Sequence, residues 1–247
     1  MWRAFGSPPY ESAEGREIAA GLPLLVGLVP GDLDRLLDLA DRFLRRKTLE
    51  PVGNLMLDNR DRYTIALQAC LPILELGLNW YRGWSAVVIY PDEFVPTLEE
   101  VDEAGVVHQW HAPRSGESWS HGPVILSLSA VQASGHCDGY NVVIHEVSHK
   151  LDMLNGDANG YPPLHRGMSS AHWSRAFEQA FMDMTRTVQA GETTRIDPYA
   201  TDSPGECFAV FSEYFFERPR LLQAEYPAVY RQLALFYRQD PAQRLRS

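Results

Sequence analysis

The run His145-Glu146-Val147-Ser148-His149 constrains this chain more than any other stretch, because its spacing acquires a single chemical use once it is helical. On an α-helix, residues four apart share a face about 6 Å along the axis, so both imidazoles can reach one cation. Glu146 projects between them, where a carboxylate can take a proton from a water beside that cation instead of binding it. Read as H-E-x-x-H, the pattern points to zinc-assisted hydrolysis, with three protein ligands and a water around one Zn²⁺. The flanks predict a helix over residues 139–154. Val143, Val147, Leu151 and Leu154 recur at helical spacing opposite the histidines, and Gly139 and Asn155-Gly156 set its limits. Lys150 counts against the motif, since the position after the second His is usually uncharged. The competing reading is two surface or capping histidines on an ordinary amphipathic helix.

Two histidines are too few for a catalytic zinc, so a third ligand must lie downstream. The metzincin pattern needs Gly and His three and six residues after the second His, but Asp152 and Asn155 stand there. A ligand at thermolysin-like spacing is missing as well, the first Glu after Glu146 being Glu178. The better candidate is the stretch 203–216, where Glu206, Glu213 and Glu217 fall near one helical stripe. Ser203-x-x-Glu206 also reads as a capping box with Pro204 at the first helical position, so Glu206 is equally open as cap or ligand. Glu213 is the alternative ligand, or a buried acid bonded to a neighbour. Asp152 could orient a ligand imidazole or form a surface ion pair. No spacing argument favours His165 or His172 as ligands, and Cys207, turned about 100° from Glu206, reads as a packed thiol.

With 247 residues, 45% of them hydrophobic, the chain can bury a sizeable core. A formal net charge of −10 repels phosphate backbones and argues against direct nucleic-acid binding. Cys70, Cys137 and Cys207 are an odd, scattered set that fits a reducing cytoplasm. The apolar stretch 18–29 is broken by Gly21, Pro23 and Gly27 and preceded by three Glu, a pattern of neither a signal peptide nor a membrane span.

Residues 1–15, rich in Pro, Gly and Ser, are expected to fray, leaving 16–247 as one domain in which 16–80 could form a helical lobe. Apolar periodicity predicts helices over 32–46, 62–78, 171–188, 203–216 and 227–237, with Pro30-Gly31-Asp32 as the first start signal. Strands are expected at 84–90 and 124–128, the latter extended to 129 as a candidate edge strand for pairing with substrate. Residues 97–117 read as a loop or irregular hairpin, and 191–202 as a connector.

The segments 142–152 and 204–216, together with Leu71-Pro72-Ile73-Leu74-Glu75-Leu76-Gly77-Leu78 and Phe236-Tyr237-Arg238-Gln239-Asp240-Pro241, resemble the Mlc titration factor A family of zinc peptidases. The resemblance runs from about residue 22 to the end. It implies an α+β, zincin-like fold of gluzincin type, related to the catalytic domain of lethal-factor-like toxins, with the active-site helix packed on a small mixed sheet. In that family the acid of a P-x-E-x-F-A segment is the third zinc ligand, here Glu206, and a catalytic tyrosine stands seven residues earlier, here Tyr199. Lys150 also fits the family pattern. By itself Tyr199 is more often a packed residue, although a phenol near zinc can donate to an oxyanion. The implied function is a cytoplasmic, aminopeptidase-like zinc peptidase with His145, His149 and Glu206 as ligands and Glu146 and Tyr199 catalytic. Its partners would be peptide substrates and an Mlc-type transcriptional repressor bound by protein contact, with no membrane. The rival from another class is a regulatory repressor-binding protein whose zinc is structural or vestigial.

Overall fold

Proline sets many of the helix starts. It holds the first helical position of α2 (Pro30–Arg46), α7 (Pro204–Glu217), α8 (Pro219–Glu225) and α9 (Pro227–Tyr237), where its missing N–H would be unpaired in any case. In the computed structural model, which describes residues 12–93, 98–101, 107–110, 116–118 and 122–244, the remaining helices are α1 (Ser12–Ala20), α3 (Asn59–Cys70), α4 (Leu128–Ala133), α5 (Val142–Asp152), α6 (Ser170–Gln189) and α10 (Pro241–Arg244). The strands are β1 (Thr48–Pro51), β2 (Ala86–Tyr90), β3 (Leu98–Val101), β4 (Val107–Trp110), β5 (Gly116–Ser118) and β6 (Val124–Ser127).

The helix expected over 62–78 starts earlier and stops at Cys70. Asp58 and Asp61 form a reciprocal capping box at its start. Pro72, which has no N–H to donate, lies just past its end, and the apolar residues after it turn instead of continuing the helix. Helix α1 begins inside the stretch expected to fray; residues 1–11 lie outside the described ones. Strand β1 and helix α8 were not expected, since four and seven residues are too few for a clear periodic pattern.

Strands β1, β2 and β6 run parallel, and β5 closes the sheet antiparallel to β6, in the order β1-β2-β6-β5. Val87 and Ile89 of β2 and Val124 and Leu126 of β6 point into the core. The expectation that 124–129 is an edge strand is wrong: β6 is paired on both sides, and the outer position next to it belongs to β5. The strand also ends at Ser127, whose hydroxyl accepts from Ala130 N at 3.1 Å and so starts α4. From the irregular 97–117 stretch comes a separate hairpin of β3 and β4, pairing Leu98 with Trp110; its connection lies outside the described residues.

Helix α5 packs against β5 and β6 on one side and against α7 on the other. A helix apolar around most of its circumference must be buried, and α7 is: every residue from Cys207 to Glu217 is covered. Its Phe208, Phe211 and Phe215 meet Trp173 and Phe177 of α6 and Phe236 and Tyr237 of α9 in a continuous aromatic core. Burying each such ring contributes roughly 1.5–3 kcal/mol.

Two polar ties fix α5 relative to α7. At its start Asn141 is the cap. Its Oδ1 accepts from Ile144 N at 2.9 Å, and its Nδ2 donates to Glu217 Oε1 and Gln68 Oε1, each at 2.7 Å. Glu217 Oε2 accepts from Cys137 N at 2.6 Å. This cap begins the helix at Val142, three residues later than expected. At its end Asp152 Oδ2 accepts from Gly160 N at 2.6 Å. Gly160 has φ of +76°, and a Cβ there would lie 2.4 Å from Pro204 O, so this segment rests backbone to backbone on the first turn of α7. Gly205 repeats the contact from the other side, a Cβ on it meeting Ala158 O at 2.7 Å.

Replacing Gly160 with Ala therefore forces both a left-handed alanine and a displaced backbone, and should lower urea-unfolding stability by about 1–3 kcal/mol; an unchanged midpoint would refute this account of the contact. Glu217 gives a pH signature. Burial raises its pKa to about 7 from 4.5, against the opposing bonds from Asn141 and Cys137. The folded protein then holds a proton that the unfolded chain has released between pH 4.5 and 7. Its contribution to stability is whole below pH 4.5 and is lost as pH rises through 7, amounting to about 3 kcal/mol. Across that window wild type should lose stability relative to Glu217→Gln, whereas parallel curves would show that Glu217 titrates normally.

Candidate metal centre

Between α5 and α7 three polar atoms converge. His145 Nε2 lies 2.9 Å and His149 Nε2 3.3 Å from Glu206 Oε2, and the two nitrogens are 3.2 Å apart. The histidines stand one turn apart on α5, with ring centroids separated by 4.9 Å. Glu206 comes from the first turn of α7, where its N–H donates to Ser203 Oγ at 3.1 Å while its carboxylate turns to the imidazoles. The cap and the site thus use different atoms of one residue, which reconciles the two readings of Ser203-x-x-Glu206. Among the described residues this is the one group of three His, Cys, Asp or Glu side chains whose ligand atoms converge.

The dimensions suit a metal ion. Ligand atoms about 2.0–2.1 Å from a tetrahedral ion lie about 3.3 Å from each other, close to the three separations here. The charges suit it too. Burial opposes a proton on His145, but its bonds to Glu206 and Glu213 outweigh that and push its pKa well up. Burial likewise opposes a charge on Glu206, and the two imidazoles still hold its carboxyl far below the usual range. Such a set calls for positive charge at its centre, which a divalent cation supplies without setting N–H groups against each other.

Glu146 stands apart from the converging atoms and is 3% exposed. Gly116 of β5 backs it so closely that a Cβ there would lie 2.4 Å from Glu146 Oε1. Lys150, the residue at odds with the simple motif, is buried and donates to Gly122 O at 2.9 Å, tying α5 to the backbone just before β6. Burial lowers its pKa to about 8, with Glu146 acting in the opposite direction. Tyr199, in the 3₁₀ turn Pro198–Thr201, stacks on His145 with centroids 5.9 Å apart and an interplanar angle of 28°. Asp197 holds that turn by accepting from Tyr199 N at 2.9 Å. The Tyr199 side chain is half-exposed.

The alternative ligand Glu213 is not part of the converging set; its Oε1 lies 2.8 Å from His145 Nδ1, on the far edge of the ring. Asp152 is committed to Gly160, and among the described residues no hydrogen bond reaches His149 Nδ1. His165 bonds to Phe236 O at 2.7 Å, away from the cluster, and His172 is exposed on α6. Cys207 is a buried thiol, as expected. Two contributors were missed. Asn141, a preferred cap residue three before Ile144, carried a readable signal. Gly116 carried none, because its importance lies in what β5 passes across.

These observations converge with comparison to known proteins. A family described as "Glucose-regulated metallo-peptidase M90" matches residues 2–238. The chain is 45% identical over 233 residues to Mlc titration factor A of Salmonella arizonae, covering 92% of each protein. The same identity relates it to the Mlc titration factor A proteins of Salmonella paratyphi B and Salmonella typhimurium, over 92% of this chain and 87% of theirs. With a match across nearly its whole length and a three-residue centre fit for a metal ion, the chain belongs to the glucose-regulated metallo-peptidase M90 family.

Proposed function

We propose that this protein is a zinc-dependent peptidase of the cytoplasm that hydrolyses peptides in an aminopeptidase-like manner. The observation that carries the reading is the convergence of His145, His149 and Glu206 to within 3.3 Å, with Glu146 on the same helix but outside the set. Two imidazole nitrogens and one carboxylate match the ligand choice of zinc better than that of magnesium or calcium, which favour all-oxygen sites. When bound, the ion serves as a Lewis acid, activating water and polarising the scissile carbonyl.

The chain's own residues do the rest. Glu146 takes the proton of the attacking water and returns it to the departing amine. Gly116 leaves room for the Glu146 carboxylate beside β5, and Lys150 secures the turn of α5 that carries Glu146 and His149. Tyr199 donates a hydrogen bond to the carbonyl oxygen as negative charge grows on it. Its stacking on His145 and its half-exposed side chain support that role. Strand β5, beside Glu146, takes over the role of substrate edge first given to 124–129.

The relatives' name, Mlc titration factor A, concerns Mlc. On that basis the protein also binds an Mlc-type transcriptional repressor through protein contact, which suits an acidic chain poorly matched to DNA. Among the described residues no helix is long and apolar enough to cross a membrane.

With chromogenic aminoacyl substrates, Glu146→Gln should reduce kcat by about 10²–10⁴-fold while one zinc per chain remains bound. Zinc binding with no hydrolysis by wild type, unchanged by this substitution, would instead favour a regulatory protein with a structural ion. Tyr199→Phe should lower kcat by about 10²–10³-fold with little change in KM. For the repressor, co-purification of an Mlc-type protein with wild type and with His149→Ala would show separable activities; no capture by wild type would remove that half of the proposal.

A further inference from the structure

Helix α7 directs two more acids at α5 than the metal centre uses. Glu213 lies two turns beyond Glu206, and Glu217 one turn beyond that, so all three share the stripe that faces α5. Glu213 and Glu217 are only 5% and 2% exposed. Carboxylates that deep persist only where their oxygens are bonded. Both are bonded, and to the same short stretch of chain.

The state of His145 follows from its two edges. Its Nε2 faces Glu206 and His149 and needs a free lone pair to ligate an ion, so the neutral ring must carry its proton on Nδ1. Glu213 Oε1 accepts there at 2.8 Å. The other oxygen, Oε2, accepts from Asn141 N at 2.5 Å. Asn141 is itself clamped by Glu217 and Gln68. The ring is thereby held at one edge by a group with no freedom to swing. His149, with no such bond on Nδ1 among the described residues, is held less firmly.

We propose that Glu213 is the positioning residue of the metal centre: it fixes the tautomer and ring orientation of His145 and ties both to the cap of α5 through Asn141 N. This rests on the reading of His145 as a metal ligand. Glu213 lies outside the three converging atoms and reaches them through the His145 ring, while its other oxygen holds Asn141 N. A Gln in its place keeps the shape but can accept at only one of the two N–H groups, leaving the other opposite an amide NH₂.

The test is metal binding to the purified full-length chain, measured by zinc competition with a chromogenic chelator and by the visible absorption of the Co²⁺-loaded protein. Wild type should bind one ion. Glu213→Gln should bind it about 10–100-fold more weakly, with a changed Co²⁺ spectrum, although its metal-free far-UV circular dichroism matches wild type. If Glu213→Gln fails to fold, Glu213→Asp, which withdraws the carboxylate by one methylene, should show the same weakening and spectral change. Wild-type affinity and spectrum in a folded variant would overturn the positioning role and leave the peptidase reading intact. Absence of ion binding by wild type itself would overturn both.

Discussion

The architecture depends on how one stripe of α7 meets one face of α5. Glu206, Glu213 and Glu217 address that face in sequence: the paired imidazoles, the far edge of His145 with the backbone of Asn141, and then the Asn141 side chain with Cys137 N. Two buried carboxylates and a third partly buried on one helix would be ruinous without partners. Here Glu213 and Glu217 are met by donors from α5 or the turn leading into it, and Glu206 faces the two imidazoles. The aromatic residues around the rest of α7 provide the burial that makes those polar bonds both costly to break and strong. The apolar core and the polar site are thus two sides of one helix.

The sheet has a subordinate part. Strands β5 and β6 seat α5, and β5 brings a glycine against Glu146. Lysine 150 links the two layers, since its ammonium reaches Gly122 O at the entrance to β6 and lies 5.8 Å from the centre of the Trp84 ring. Lys47 lies 3.7 Å from the same ring centre and donates to Tyr81 O at 2.6 Å. Both buried ammonium groups are lowered to about 8, chiefly by burial.

Much of this was legible in the residues. Helical spacing put His145 and His149 on one face, and the proline-led starts of α2 and α7 were readable because proline's effect is local. Glu206 was harder, since its letters serve a cap and a ligand equally well and only the third dimension shows the N–H and carboxylate parting to different partners. The choice of Tyr199 came through resemblance, because nothing in Asp197-Pro198-Tyr199 specifies a ring stacked on an imidazole. What failed was pairing. Strand β6 has the composition of a strand, but whether it lies inside or at an edge is decided by β5, whose three residues begin with glycine. The end of α3 was misjudged because the apolar pattern continues past Pro72 although the helix cannot.

The contact of Gly160 and Gly205 with the neighbouring main chain has an evolutionary consequence. Side chains at an interface drift and compensate for one another, so a site supported by them shifts slightly as a lineage diverges. Peptide groups touching peptide groups leave nothing to vary. The spacing between the end of α5 and the turn that carries Glu206 is therefore set by main chain against main chain, and a side chain added at either glycine would move one against the other.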